Sequence, residues 1–148
     1  MSYDTYELEI SDSIMVFEFV SEGPKGLIRK RVHYQKTTQV GTYNLALGDV
    51  NSKTNKIDFD VITDNKDAEK VLATVAKTVF IFIDNFPKAR IYAEGSNTAR
   101  TRLYRMGISS NLEAINKQFD VYGLLESIGW LPFEKNIDYL AFTLKLKD

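Results

Sequence analysis

The residues with the clearest chemical potential lie in an arginine-rich segment between positions 95 and 105. The segment reads Gly-Ser-Asn-Thr-Ala-Arg-Thr-Arg-Leu-Tyr-Arg, and no acidic residue occurs between Gly95 and Leu112. A glycine followed by small polar residues at a helix start leaves backbone N–H groups free beside hydroxyl donors, and such a site suits an anion. We therefore predict that an anion or nucleic acid is bound by Gly95, Ser96, Asn97, Thr98, Arg100, Arg102 and Arg105.

The position of Arg100 within the predicted helix supports this prediction. Arg100 falls in the first turn, where its charge meets the positive end of the helix dipole at a cost of about 0.3–1 kcal/mol. A bound phosphate, or a carboxylate from elsewhere in the fold, would offset that cost. At about 100° per residue, Arg102 and Arg105 lie on one face and Arg100 lies well round the helix. We therefore expect Arg100 to be separate from the other two arginines.

A structural interpretation of the same segment stays open. Asn97 is a good helix cap, and Gly95 suits a tight turn. Arg100 has Glu94 and more distant aspartates as candidate ion-pair partners, while the other two arginines are compatible with a solvated helix face. The segment is not a P-loop, because the Gly-x-x-x-x-Gly-Lys-Ser/Thr pattern is absent.

A second set of basic residues occupies alternate positions of a predicted strand. Arg29, Arg31 and His33 share its polar face and form a candidate extension of a nucleic-acid surface. The alternative is that the arginines pair with Asp58 and Asp60 on a neighbouring strand. His33 is the only histidine, and without an orienting acid and a nucleophile we expect no catalytic role for it. No metal-ligand spacing emerges, so neither a metal nor another cofactor is expected.

The composition excludes several classes of function. The chain has 148 residues, with 19 basic and 20 acidic side chains and a net charge of −1. This balance argues against a whole-protein electrostatic binder of nucleic acid, although a local basic patch remains compatible with it. There are no cysteines, which excludes disulfides, thiolate nucleophiles and cysteine-ligated metals. The chain starts without a signal-peptide pattern, and its longest apolar run, Val79–Ile83, cannot span a bilayer. We expect a cytoplasmic location and no membrane partner.

The N-terminal half shows the period-two alternation of strands. On the second of these strands Ile28, Val32 and Tyr34 share the apolar face. Because the opposite face is polar, we expect an antiparallel meander. The predicted strands cover residues 14–21, 27–36, 43–48 and 57–61.

The pattern changes to a helical period after residue 63. Asp64 or Asn65 is the predicted cap of a helix that ends near Asn85, before Pro87. A second helix starts near Thr98, and a break or bend is expected at Gly107 and the pair Ser109-Ser110. The remaining predicted elements are a strand at 89–94, a continuation or short helix at 111–118, strands at 119–125 and 138–147, and a loop around residue 130.

These elements predict one α+β domain over residues 1–148. Their order is β-β-β-β-α-β-α-β-β, with an antiparallel sheet packed by two main helices. The aromatic loop at Trp130 has two open interpretations. Exposed aromatic residues there would form a partner surface, whereas inward-folded ones would close the end of the core.

Four motifs in the C-terminal part resemble a family of small uncharacterised bacterial proteins. They are Gly-Ser-x-x-Ala-Arg-Thr-x-Leu-Tyr from Gly95, Phe-x-Val-Tyr-Gly from Phe119, Trp-x-Pro-Phe from Trp130 and Asn-x-x-Tyr-x-x-Phe from Asn136. The resemblance implies a fold plan and no known activity. This sequence has Asn97-Thr98 where Thr-Pro is expected in relatives, and the loss of proline weakens the helix start slightly.

Three classes of function follow from these features. The first is a binding module for a phosphate-bearing ligand or nucleic acid that uses the helix start at residues 95–105. The second is a protein–protein interaction or regulatory module, with a homo-oligomer as one form, that uses the aromatic loop or an edge strand. The third is an enzyme, which we rank last because no nucleophile–base pair is recognisable.

Overall fold

The computed structural model describes residues 4–60 and 63–148, and its main feature is one open, mostly antiparallel sheet. Within these residues the fold is α+β, with nine strands and three helices. The strands are β1 (Glu9–Ile10), β2 (Val16–Gly23), β3 (Gly26–Lys36), β4 (Thr42–Val50), β5 (Ile57–Asp58), β6 (Arg90–Ala93), β7 (Phe119–Leu125), β8 (Gly129–Pro132) and β9 (Phe142–Leu146). The helices are α1 (Ala68–Asn85), α2 (Thr98–Ser110) and α3 (Leu112–Gln118).

The order of the strands across the sheet is β1-β2-β3-β4-β6-β9-β7-β8, and β5 pairs with β4 beside this path. The pair β4–β6 is parallel, and its connection contains α1, as a parallel crossover requires. The other pairs are antiparallel. The predicted α+β class and the order of the main elements are confirmed. The short strands β1 and β8 are additions that the alternation pattern did not predict.

The start of α1 differs from the prediction. The sequence favours Asp64 or Asn65 as the cap, but the helix begins at Ala68 with Asp67 in the N-cap position. Asn65 is instead buried, and its Oδ1 accepts from the backbone N–H of Lys25 at 2.8 Å, in the loop between β2 and β3. A long-range contact therefore uses the side chain that local reasoning assigned to the cap.

Helix α2 continues through Gly107, so there is no break at that residue, but the helix ends at Ser110, within the predicted Ser109-Ser110 pair. A Cβ built on Gly107 would lie 3.1 Å from Leu72 Cδ2 on α1. The glycine thus permits a close contact between two helices and does not end one of them. The predicted loop around Trp130 is also wrong in part, because Trp130 lies in β8 opposite Leu124 of β7.

The fourth predicted strand is shorter in the structure. It ends at Asp58, and Val61, the last apolar residue of the predicted alternation, lies outside the described residues. A Cβ on Gly48 would lie 2.6 Å from Ile57 Cγ2 and 2.9 Å from Phe59 Cδ1. The chain around β5 therefore lies directly against β4, and this contact needs a glycine.

The core lies between the sheet and α1. Inward residues of neighbouring strands face each other, such as Phe17 opposite Val32 and Tyr34 opposite Leu45. Phe82 of α1 stacks on Tyr34 with ring centroids 4.1 Å apart, and full burial of such a side chain contributes about 1.5–3 kcal/mol. None of the described helices is long and apolar enough to cross a bilayer.

One inward position of β3 holds a lysine. Lys30 follows Ile28 and precedes Val32 in the apolar alternation, and it is fully buried. Its Nζ donates to Asp49 Oδ1 at 2.7 Å and to the Thr63 carbonyl at 3.3 Å. This buried ion pair lies beside the start of α1 and positions one wall of the candidate site.

Candidate ligand-binding site

The turn before α2 is held against the first turn of that helix. A Cβ on Gly95 would lie 2.3 Å from the Thr101 nitrogen and 2.4 Å from Arg100 Cβ, so this contact requires glycine. The Gly95 N–H donates to Thr101 Oγ1 at 3.1 Å, and that hydroxyl donates to the Asn97 carbonyl at 3.1 Å. Gly95 is therefore a structural part of the helix start.

Asn97 caps α2 and also ties it to the chain after β5. Its Oδ1 accepts from the Arg100 backbone N–H at 2.9 Å, and its Nδ2 donates to the Asp60 carbonyl at 3.3 Å. The neighbouring Ser96 hydroxyl donates to the Phe59 carbonyl at 3.5 Å. Two of the polar side chains that the sequence assigned to an anion thus make contacts within the fold.

Arg100 turns inward and meets the edge of β4. Strand β4 pairs with β6 only over Thr42–Asn44, and Leu47 lies beyond this pairing. The Leu47 N–H donates to Tyr104 Oη at 3.0 Å, and its carbonyl accepts from Arg100 Nη2. Two side chains of α2 therefore satisfy a strand residue that the neighbouring strand does not reach.

The guanidinium of Arg100 has no acidic partner in the described part of the chain. The residue is 4% exposed, and its Nε and Nη1 have no hydrogen-bond partner among residues 4–60 and 63–148. Nη2 lies 3.3 Å from Tyr104 Oη, and the Tyr104 ring is 5.7 Å from the guanidinium carbon. A buried charge with unused donors is costly unless a partner compensates it.

Arg100 lines a cavity of about 440 Å³ beside the first turns of α1 and α2. A cavity of this size is typical of small-molecule sites. Its charged lining consists of Lys30, Arg100, Asp60, Asp64 and Asp67. Its apolar lining comes from α1 and α2 and includes Val71, Leu103 and Met106.

The other charged groups of this cavity have partners or face solvent. Lys30 is paired with Asp49. The Asp67 carboxylate accepts from Tyr6 Oη at 2.6 Å and from Ser21 Oγ at 2.5 Å. The pKa of Tyr6 is raised, mainly by burial and secondly by the hydrogen bond to Asp67. The phenol therefore keeps its proton and donates it to the carboxylate. The two remaining aspartates are exposed. Arg100 is therefore the buried cation of this lining that has no ion-pair partner among the described residues.

Arg102 and Arg105 lie in a different place from Arg100. They line a groove of about 430 Å³ together with Gly95, Ser96 and Thr98. Arg105 forms an ion pair with Asp138, whose side chain is mostly exposed. Arg102 is exposed. The structure brings these two arginines together with the turn and directs Arg100 into the separate cavity, while Asn97 lines both.

The two arginines of the second predicted basic face share one acid on β2. Arg29 Nε and Arg31 Nε donate to the two carboxylate oxygens of Glu18 at 3.1 and 2.6 Å. These hydrogen bonds lower the pKa of Glu18, and the bond from Arg29 makes the largest contribution. His33 packs edge-on against Phe59 at 5.6 Å between ring centroids. The pKa of His33 is lowered, mainly by burial and secondly by the positive charge of Arg31. Its imidazole is therefore neutral at physiological pH.

Sequence reasoning missed two residues of this site. Lys30 occupies an inward position between Ile28 and Val32, and a lysine that interrupts an apolar alternation is a usable signal of a buried cation. Tyr104 follows Arg100 by four residues, and that spacing places two side chains on neighbouring parts of one helix face.

The described residues contain no group of three or more potential metal ligands.

The chain belongs to a family of unknown function (DUF6934), whose sequence profile matches residues 2–147. An uncharacterised family was expected from the sequence, and this family covers nearly the whole chain; the four motifs and the bacterial origin stay predictions. No curated protein and no solved structure matches the chain significantly. The family supplies no activity to transfer, so the function has to be argued from the site.

Proposed function

We propose that this protein is a binding module for a small molecule that carries a phosphate or carboxylate group, and that this group pairs with Arg100 in the cavity between α1 and α2. The observation that supports the proposal is the buried guanidinium with two unused nitrogens. Arginine stays protonated in proteins, and its N–H donors form charge-assisted hydrogen bonds with both kinds of anion. A ligand oxygen would complete the hydrogen bonding that the described lining leaves incomplete.

The expected strength follows from the number of free donors. A hydrogen bond to a charged group contributes about 1.5–3 kcal/mol. The Nε–H and Nη1–H groups lie on different edges of the guanidinium, and Nη2 is already engaged, so a single anion accepts one free donor and gains about 1.5–3 kcal/mol before the cost of ordering the ligand. A minimal anion is therefore expected to bind weakly, with a dissociation constant on the order of 10 mM. The low dielectric around a buried guanidinium favours this interaction over the same contact at the surface.

Nucleic acid, the other ligand predicted from the sequence, fits this geometry less well. Binding of a phosphate backbone depends on many cations that face solvent. Arg29 and Arg31 are engaged by Glu18, and Arg105 is engaged by Asp138. A small ligand needs only one cation without an ion-pair partner, and Arg100 is such a cation among the described residues of the cavity. A non-catalytic role and a cytoplasmic location are part of this proposal.

Isothermal titration with inorganic phosphate and with acetate tests the proposal at two ionic strengths. The informative variant is Arg100→Gln, which keeps a polar side chain and removes the charge, and the matched control is Arg102→Gln on the exposed side of the same helix. We expect weak binding in the wild type and in the control, and none in Arg100→Gln. Circular dichroism establishes that each variant is folded.

Two outcomes would contradict this assignment. Equal binding of phosphate by both variants would place the anion elsewhere. Tight, salt-dependent binding of a short single-stranded RNA that requires Arg102 and not Arg100 would favour the nucleic-acid interpretation and the groove beside the turn.

The alternative function is a protein–protein interaction or regulatory module, and it is favoured by apolar side chains at one end of the sheet. Ile128, Trp130, Leu131 and Leu140 are between 37% and 68% exposed. Strand β8 is the last in the sheet order, and Pro132 deprives it of a backbone donor, so side-chain packing suits this end better than strand addition. Self-association by the wild type but not by Trp130→Ser in sedimentation velocity would support this alternative, and a monomer at every concentration would count against it.

A further inference from the structure

The apolar half of the cavity carries information about the ligand beyond its charge. Ala99, Leu103 and Met106 are spaced by four and three residues and form one stripe of α2, and all three line the cavity with Val71 of α1. A stripe of this kind normally packs into the core, yet Met106 is 44% exposed. Gly107 of α2 packs closely against Leu72 of α1. The apolar stripe of α2 nevertheless leaves part of its surface uncovered in the cavity.

The charges around the cavity limit the charge of the ligand. Lys30 is compensated by Asp49, which leaves the single positive charge of Arg100. Asp60 and Asp64 are exposed members of the lining, and their carboxylates repel any further negative charge on a ligand. One cation flanked by acids therefore matches a single anionic group and disfavours a polyphosphate.

We infer that the ligand is a small amphiphilic monoanion, with one carboxylate or phosphodiester group on Arg100 and an apolar body against Val71, Leu103 and Met106. This inference rests on the proposed function and narrows it to a ligand class. Methionine side chains adapt to apolar partners of different shape, so the body is recognised by its hydrophobicity more than by one exact outline. Each methylene that enters the cavity increases the affinity about fourfold, until the apolar surface is covered.

The test is a titration of the full chain with straight-chain carboxylates from acetate to octanoate, below the concentrations at which octanoate forms micelles. Octanol serves as the neutral probe and ATP as the multiply charged probe. We expect the affinity to rise with chain length, with octanoate at least tenfold tighter than acetate and with little binding of octanol or ATP.

Two pairs of variants separate the head from the body of the ligand. Arg100→Gln should abolish binding of both acetate and octanoate, with Arg102→Gln as its control. Met106→Gln should weaken octanoate several-fold and leave acetate unchanged. Its control is Leu140→Gln, at a residue that is exposed to a similar degree and does not line this cavity.

The outcomes distinguish this inference from the proposed function. If acetate and octanoate bind equally and both require Arg100, the amphiphile is wrong while the anion site stands. If ATP binds more tightly than octanoate, or if octanoate binding survives in Arg100→Gln, the inference is overturned. If no carboxylate and no inorganic phosphate binds, both the inference and the proposed function fail.

Discussion

Replacing Lys30 with methionine removes a buried cation and leaves its carboxylate partner in place. Lys30 is fully buried, and its Nζ lies 2.7 Å from Asp49 Oδ1 on a side chain that is only 14% exposed. Loss of one partner from a buried ion pair costs about 3–5 kcal/mol. The Thr63 carbonyl also loses its contact with Nζ. We expect Lys30→Met to lower the free energy of unfolding by about 3–5 kcal/mol and the melting temperature by on the order of 10 °C.

A second substitution distinguishes the effect of the unpaired charge on stability from the effect of the changed side-chain packing. Asp49→Asn removes the negative charge and retains a carbonyl oxygen that can accept from the Thr63 N–H, which now donates to Asp49 Oδ2 at 2.8 Å. In the double variant Lys30→Met/Asp49→Asn no uncompensated charge remains. We therefore expect the double variant to recover about 2 kcal/mol relative to Lys30→Met alone, because the charge is the main cost of the single substitution.

Urea titrations followed by circular dichroism measure these differences. Lys36→Met is the matched control, because Lys36 is exposed on the same strand and its substitution should change stability by less than about 0.5 kcal/mol. A Lys30→Met protein as stable as the wild type would refute the structural role of the buried cation. A double variant no more stable than Lys30→Met would show that packing, rather than charge, determines the cost.

Other perturbations address the helix start and the core. Asn97→Ala removes the acceptor of the Arg100 backbone N–H at 2.9 Å and should cost about 1 kcal/mol; an unchanged thermal midpoint would contradict the capping role. Gly95→Ala places a Cβ 2.3 Å from the Thr101 nitrogen, and we expect a loss of about 1–3 kcal/mol in urea titrations; full stability would mean that the turn relaxes freely. Burial raises the pKa of Tyr34 above its usual value of 10.0, so the folded state holds this proton more tightly than the unfolded state and stability falls as the pH rises above about 10. In Tyr34→Phe the urea midpoint should fall less steeply as the pH rises above about 10. The same pH dependence in the variant and the wild type would contradict the assignment to Tyr34.

The elements that could be predicted are those whose signal is local. The helical period from Val71 to Phe86 and the stop before Pro87 predict α1, and the structure confirms its C-terminal end at Asn85. The start of the same helix was predicted wrongly, because the side chain of Asn65 is held by a loop about 40 residues earlier in the chain. Periodicity thus predicted which elements form, and long-range hydrogen bonds changed where they begin.

The site could be predicted only in part, for the same reason. Sequence spacing separates Arg100 from Arg102 and Arg105, and these residues line different cavities in the structure. The burial of Arg100 could not be predicted, because it depends on the end of β4–β6 pairing before Leu47. Lys30 offered a local signal, a lysine within an apolar alternation, but its partner Asp49 lies on another strand.

The identity of residue 100 is itself an argument for a ligand. The edge of β4 needs one donor for the Leu47 carbonyl, and a neutral donor would satisfy it without the desolvation of a full charge. Arginine supplies that donor from Nη2 and adds a positive charge and further donors, with Nε and Nη1 unused within the described chain. Strand-edge closure explains one hydrogen bond of this side chain but neither its charge nor its unused donors. A ligand anion in the adjoining cavity accounts for both, and the different responses of Arg100→Gln in stability and in binding would separate the two roles.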